Sequence, residues 1–129
     1  KTNNGHLIEE KMNFWKNMQE IGLKTPLEHP EPTRSDCHAW GSHPLYHYYA
    51  SFAGIRPANF GFTKVRIRPQ PGNLSFIDCV MPHPQGEIKL NLKFSGGQAK
   101  GTIELPQEIS GEFFYGNQSL ILKQGLNQI

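Results

Sequence analysis

The side chains best able to do chemistry crowd into one stretch of the sequence. Glu28, His29, Glu31, Arg34, Asp36, His38, Trp40, His43 and His47 all lie there, including four of the chain's six histidines. Segments dense in ionisable and aromatic residues are common binding surfaces. Three chemistries compete for this one. His43 and His47 stand one helical turn apart, a spacing at which two histidines can share a metal ion. No HExxH pattern accompanies them and Pro44 falls between, so they read more simply as one helix face, and no metal or other cofactor is expected. Glu28, Glu31 and Asp36 are candidate carboxyls for acid/base work on a sugar. Trp40 would be a stacking platform, and Arg34 or His38 would be partners for hydroxyls, because glycoside hydrolysis needs carboxyl groups and a wall that holds the ring. A carboxylate in a proline-rich loop is more often simply solvated, and Ser35 or Asp36 could instead be an N-cap. Cys37 beside His38 is a poor nucleophile–base pair, since neighbours in sequence rarely point at one reacting atom.

Two helices must position this stretch. Leu7, Ile8, Met12, Phe14, Trp15, Met18 and Ile21 recur at three-to-four spacing and predict an amphipathic helix over 5–21. Gly22 follows where a C-cap glycine belongs. Pro26, Pro30 and Pro32 keep 24–36 a loop, because each lacks an N–H and restrains its predecessor. A second helix is predicted over about 43–53, with Pro44 in its first turn, Leu45, Tyr46, Tyr49 and Phe52 on its face, and Gly54 at its end. Two helices cannot bury that much aromatic surface against each other. They must lie on a neighbouring sheet or belong to a larger helical domain.

Beyond residue 55 the pattern changes to strands. Six runs are expected, at 63–68, 74–80, 87–94, 99–105, 109–115 and 119–123, separated by Gly and Pro turn signals such as Pro71-Gly72-Asn73 and Gly116-Asn117. Ile88, Leu90, Leu92 and Phe94 alternate with Lys89, Asn91 and Lys93, the mark of one buried and one wet face. The fold class is therefore mainly β with N-terminal helices: a helical segment at 1–54, then a small antiparallel β-sandwich at 55–129. Phe113, Phe114 and Tyr115 are consecutive and must alternate faces, so Phe114 or its two neighbours should be core. Net charge is only +2. Lys64, Arg66 and Arg68 alternate along one strand as a solvent face would, and no nucleic-acid partner is expected. No apolar run approaches the roughly 20 residues of a membrane helix, and no membrane partner is expected. Cys37 and Cys79 do not make a disulfide framework and are expected to be two separate buried thiols. The chain opens on Lys1 without an initiator Met and is expected to be a processed product or a piece of a longer protein.

The stretch Thr33-Arg34-Ser35-Asp36-Cys37-His38-Ala39-Trp40-Gly41-Ser42-His43-Pro44-Leu45 resembles the end of the catalytic domain in bacterial α-L-rhamnosidases of glycoside hydrolase family 78. Gly54-Ile55-Arg56-Pro57, Gly61-Phe62 and Val65-Arg66-Ile67-Arg68-Pro69-Gln70-Pro71 resemble that family's junction into a C-terminal β-sandwich. Trp15, Met18, Gly22-Leu23 and Glu28-His29-Pro30 fit as well, so the likeness runs from about residue 7 to about 95. The resemblance implies that 1–54 holds the last two helices of an (α/α)6 barrel. It implies an inverting hydrolase that removes terminal α-L-rhamnose from glycans or glycosides. Glu28 matches the general base by position, with Glu31 a nearby competitor. His38 matches a histidine that contacts the bound sugar, and Trp40 would wall the pocket. Arg34 and Asp36 would be structural partners holding the loop that presents Glu28. Nothing here resembles the part of the barrel that bears the general acid. The chain alone is therefore expected to be inactive, with the rest of the barrel as its partner. The alternative is a non-catalytic β-sandwich module that binds carbohydrate or stabilises a partner.

Overall fold

The computed structural model describes residues 5–129; the first four residues of the expected helical segment lie outside the described residues. The first helix is broken in two, α1 (Gly5–Lys11) and α2 (Asn13–Glu20). The break is a single tightened turn: the Met12 N–H donates to Glu9 O, three residues back, at 3.1 Å. α2 ends as the sequence predicts. Gly22 takes φ +80°, its N–H donates to Gln19 O at 3.0 Å and the Leu23 N–H donates to Met18 O at 2.9 Å, which is a Schellman cap.

The second helix is less regular than expected. A 3-10 turn (Ala39–Ser42) leads into α3 (Pro44–His47), with Pro44 in its first turn, and a π turn (Tyr48–Phe52) follows. Its widened hydrogen bonding appears in the Ala53 N–H donating to Tyr48 O at 3.0 Å. The chain then passes directly into the sheet. Gly54 sits at φ +70°, and a Cβ there would collide with the backbone carbonyl of Arg68. Only glycine permits the two flanking bonds, Arg68 N–H to Gly54 O and Gln70 N–H to Phe52 O, both 3.0 Å.

Two four-stranded sheets follow. The first has the order β1 (Ile55–Pro57), β2 (Lys64–Ile67), β6 (Ser110–Tyr115), β7 (Gln118–Leu122). The second has the order β3 (Phe76–His83), β4 (Gly86–Ser95), β5 (Gln98–Leu105), β8 (Gly125–Gln128). All six expected strands are present. The sequence reading missed β1, three residues long and ending in proline, and β8, whose Gly-Leu-Asn-Gln lacks any β-branched residue. The sandwich is antiparallel as expected except in one pairing: β2 and β6 run parallel, Arg66 opposite Glu112 and Ile67 opposite Phe113. The chain between them crosses to build β3, β4 and β5 in the other sheet before returning.

The sheets share one core. Val65, Ile67, Phe113 and Leu122 from the first meet Ile88, Leu90, Leu92, Ile103 and Leu105 from the second. Met12, Phe52 and Ala53 join the same cluster, so the helical segment lies on the sandwich. Part of its apolar surface nevertheless stays open: Trp40 is 69% exposed, Leu45 61%, Tyr46 60% and Tyr48 52%. No described helix is long and apolar enough to cross a membrane.

Candidate functional site

The polar cluster is held by its backbone. The Glu28 N–H donates to Ser35 O and the His38 N–H to Pro26 O, each at 2.9 Å. These two bonds fold the loop back on itself and lay 26–28 beside 35–38. The Thr33 hydroxyl donates to Ser35 O at 3.0 Å, and the Thr25 hydroxyl donates to Asp36 O. Beneath the loop, Leu27 is 3% exposed. Gly41 packs so closely on Pro26 and Leu27 that a Cβ would lie 2.7 Å from the Leu27 carbonyl oxygen. Helix α2 fixes the same point from the other side, where the Trp15 indole N–H donates to Gly41 O at 2.6 Å. Helical spacing by itself predicts only packing for Trp15. Its indole N–H was the available signal, since a buried one almost always finds an acceptor.

Glu28 and Arg34 form the site's ion pair. Arg34 Nε donates to Glu28 Oε2 at 3.0 Å, and Arg34 Nη2 donates to Oε1, the bidentate fork that suits a guanidinium. The Glu28 side chain is only 11% exposed while that of Arg34 is 80% exposed. The Arg34 hydrogen bonds hold the Glu28 carboxyl below its usual range, against the opposing effect of desolvation, with the charges of Arg34, His38 and His29 adding to the same direction. His38 is half-buried. Its Nδ1 is buried without a hydrogen-bond partner among the described residues, and its ring lies 4.1 Å from that of Trp40. The loop thus brings Glu28, Arg34, His38 and Trp40 together.

The other candidates stand apart. Glu31 is exposed and its Oε2 accepts the Thr33 N–H at 3.0 Å within its own turn. Asp36 is exposed. Neither Ser35 nor Asp36 caps a helix: the 3-10 turn is entered from His38 with no side-chain cap. Ser35 Oγ instead accepts the Cys37 N–H at 3.3 Å. Cys37 is exposed and Cys79 half-buried, which corrects the expectation of two buried thiols. The rings of His43 and His47 are 5.9 Å apart, but their Nδ1 atoms lie 3.0 Å from Trp40 O and Ser51 Oγ. No group of three ligand-type side chains surrounds them among the described residues.

Residues 54–114 match the bacterial alpha-L-rhamnosidase C-terminal domain family. Solved α-L-rhamnosidases share the fold of the chain well beyond this segment. The Aspergillus terreus enzyme superposes with a TM-score of 0.76 at 16% identity, over 89% of this chain and 15% of that one. The Dictyoglumus thermophilum enzyme gives 0.66 at 20% identity, over 85% of this chain and 16% of that one. The Streptomyces avermitilis enzyme, solved in complex with L-rhamnose, gives 0.68 at 19% identity, over 87% and 14%. No curated protein sequence matches the chain. The chain is similar to the C-terminal part of an α-L-rhamnosidase and spans about a seventh of the length of these enzymes.

Proposed function

We propose that the chain is the C-terminal part of an α-L-rhamnosidase that removes terminal α-L-rhamnose from glycans or glycosides with inversion, and that Glu28 is its general base. On this reading 1–54 is the end of an (α/α)6 catalytic barrel and 55–129 its C-terminal sandwich. An inverting enzyme needs one carboxylate to activate water and a second carboxyl group, on the far side of the anomeric carbon, to protonate the leaving oxygen. The observation that carries the assignment is the state of Glu28. It is the least exposed carboxylate of the cluster, and it pairs with Arg34 beside His38. His38, with a buried Nδ1 that has no partner, would hydrogen-bond a sugar hydroxyl. Trp40, tilted on His38 and open to solvent, would wall the pocket. Glu31 has no comparable enclosure.

The test is kinetic, in the full-length enzyme. Glu28→Gln should lower kcat by about 10²- to 10⁴-fold, the usual worth of a general base, while Glu31→Gln leaves the rate near normal. The reverse pattern would move the base to Glu31. Retention of rate in both variants would remove this loop from the chemistry.

A further inference from the structure

The outer face of the first sheet carries a groove that the proposed hydrolysis does not use. It has a volume of about 600 Å³ and is bounded by Arg66 and Arg68 on one side and by Phe114 and the Gly116-Asn117 turn on the other. We propose that this groove is a second carbohydrate site, for an anionic oligosaccharide whose carboxylate or sulfate meets the arginines while a sugar ring lies on Phe114.

Strand alternation puts Phe113 wholly in the core and turns Phe114 to the opposite face, where it is only half-buried. An aromatic on the solvent face of a sheet contributes little to the core, but offers an apolar plane to the C–H face of a sugar. The arginines stand on that same face. Arg66 meets Glu112 at 3.6 Å, with both side chains about half exposed, a loose surface pair that an anion could replace. Arg68 has no carboxylate partner among the described residues. Lys64 and Arg66 of β2, with Arg68 just beyond its end, therefore outnumber Glu112, the carboxylate in register opposite β2. A guanidinium fork matches carboxylate and sulfate alike.

The groove is also preformed. Gln118 at the start of β7 accepts the Ala99 N–H at 2.7 Å and donates to Ala99 O at 3.0 Å, tying this sheet to the other. Gly116, at φ +55°, rests against Gly97 in the opposing hairpin so closely that any Cβ would collide. Rigid walls reduce the ordering cost of binding, and the size is that of ordinary ligand clefts. The groove shares no lining residue with the Glu28 loop.

Calorimetric titration of the 129-residue chain tests the proposal, with trigalacturonate, a sulfated trisaccharide and neutral maltotriose as probes. At least one charged probe should bind about tenfold more tightly than maltotriose, and which one identifies the anion. Arg68→Gln and Phe114→Ala should each weaken that binding about tenfold with the melting temperature nearly unchanged, and Phe114→Trp should retain it. Equal binding of all three probes, no binding of either charged one, or unaltered affinity in both Arg68→Gln and Phe114→Ala would overturn the proposal. Displacement by inorganic sulfate at equal concentration would overturn it as well, since the sugar ring would then add nothing.

Discussion

Arg34 lowers the titration of Glu28, and the consequence can be measured on the chain itself. The folded Glu28 carboxyl titrates below its ordinary value of 4.5 because the guanidinium donates to both of its oxygens. Arg34→Met should raise that titration toward the ordinary value, as followed by the side-chain carboxyl signal in NMR. The sign of the stability effect follows from the direction of the shift. A depressed carboxyl stabilises the fold fully above 4.5 and loses that contribution as pH falls through its lowered folded value. The gap in Tm between the native chain and Arg34→Met should therefore narrow on acidification; a gap that widens would contradict the pair. The cysteines give a second check at this scale. Burial, then the neighbouring Asp78 charge, pushes the Cys79 thiol up to about 11, whereas Cys37 is exposed. Thiolates are the reactive form, so near pH 8 a maleimide should label Cys37 quickly and Cys79 slowly. Cys37→Ser should abolish the fast phase.

Among the elements, the passage from the π turn into β1 depends on a single backbone conformation. Gly54→Ala would impose φ +70° on an L side chain and drive its Cβ into the Arg68 carbonyl, at a cost of roughly 2 kcal/mol or more in denaturant unfolding. β6 supplies a contrast between neighbours. Phe113 is wholly buried between the sheets, so Phe113→Ala should cost about 3–5 kcal/mol. Phe114→Ala, on the outer face, should cost within about 1 kcal/mol. The alternation that separates these residues was legible in the sequence, as were all six long strands and the Schellman glycine at 22. The break at Met12 was not, because periodicity reports which face is apolar and is blind to one hydrogen bond shortened by a residue. The parallel pairing of β2 with β6 was equally invisible. It joins residues more than 40 positions apart, and side-chain alternation is the same in either direction of pairing.

For the molecule as a whole, the exposed aromatic surface is the chief observation. Trp40, Leu45, Tyr46 and Tyr48 stay open although the helices already pack on the sandwich. Contiguous apolar surface of this kind usually marks a contact, here with the rest of the proposed barrel. Trp40 fluorescence should report it: in a Trp15→Phe chain, the remaining indole should be red-shifted and freely quenched by acrylamide. In the full-length enzyme it should be blue-shifted and protected. An aryl α-L-rhamnoside should release no product with the 129-residue chain alone, since the proposed acid lies elsewhere. Turnover by the chain would show that both carboxyls are within it.

The sequence by itself determined the strand faces, the helix cap and the resemblance on Thr33–Leu45, because each is written in local spacing or in residue types at fixed offsets. Through that resemblance it favours Glu28 over Glu31 as the proposed base. Only the tertiary structure shows how differently the two carboxylates are placed, Glu28 paired with Arg34 and Glu31 exposed. Backbone bonds from Glu28 to Ser35 and from His38 to Pro26, with Trp15 reaching over from α2 to Gly41, fold the loop so that Glu28 faces Arg34 and His38 while Glu31 remains in solvent. Such contacts join residues distant along the chain, and no local pattern encodes them.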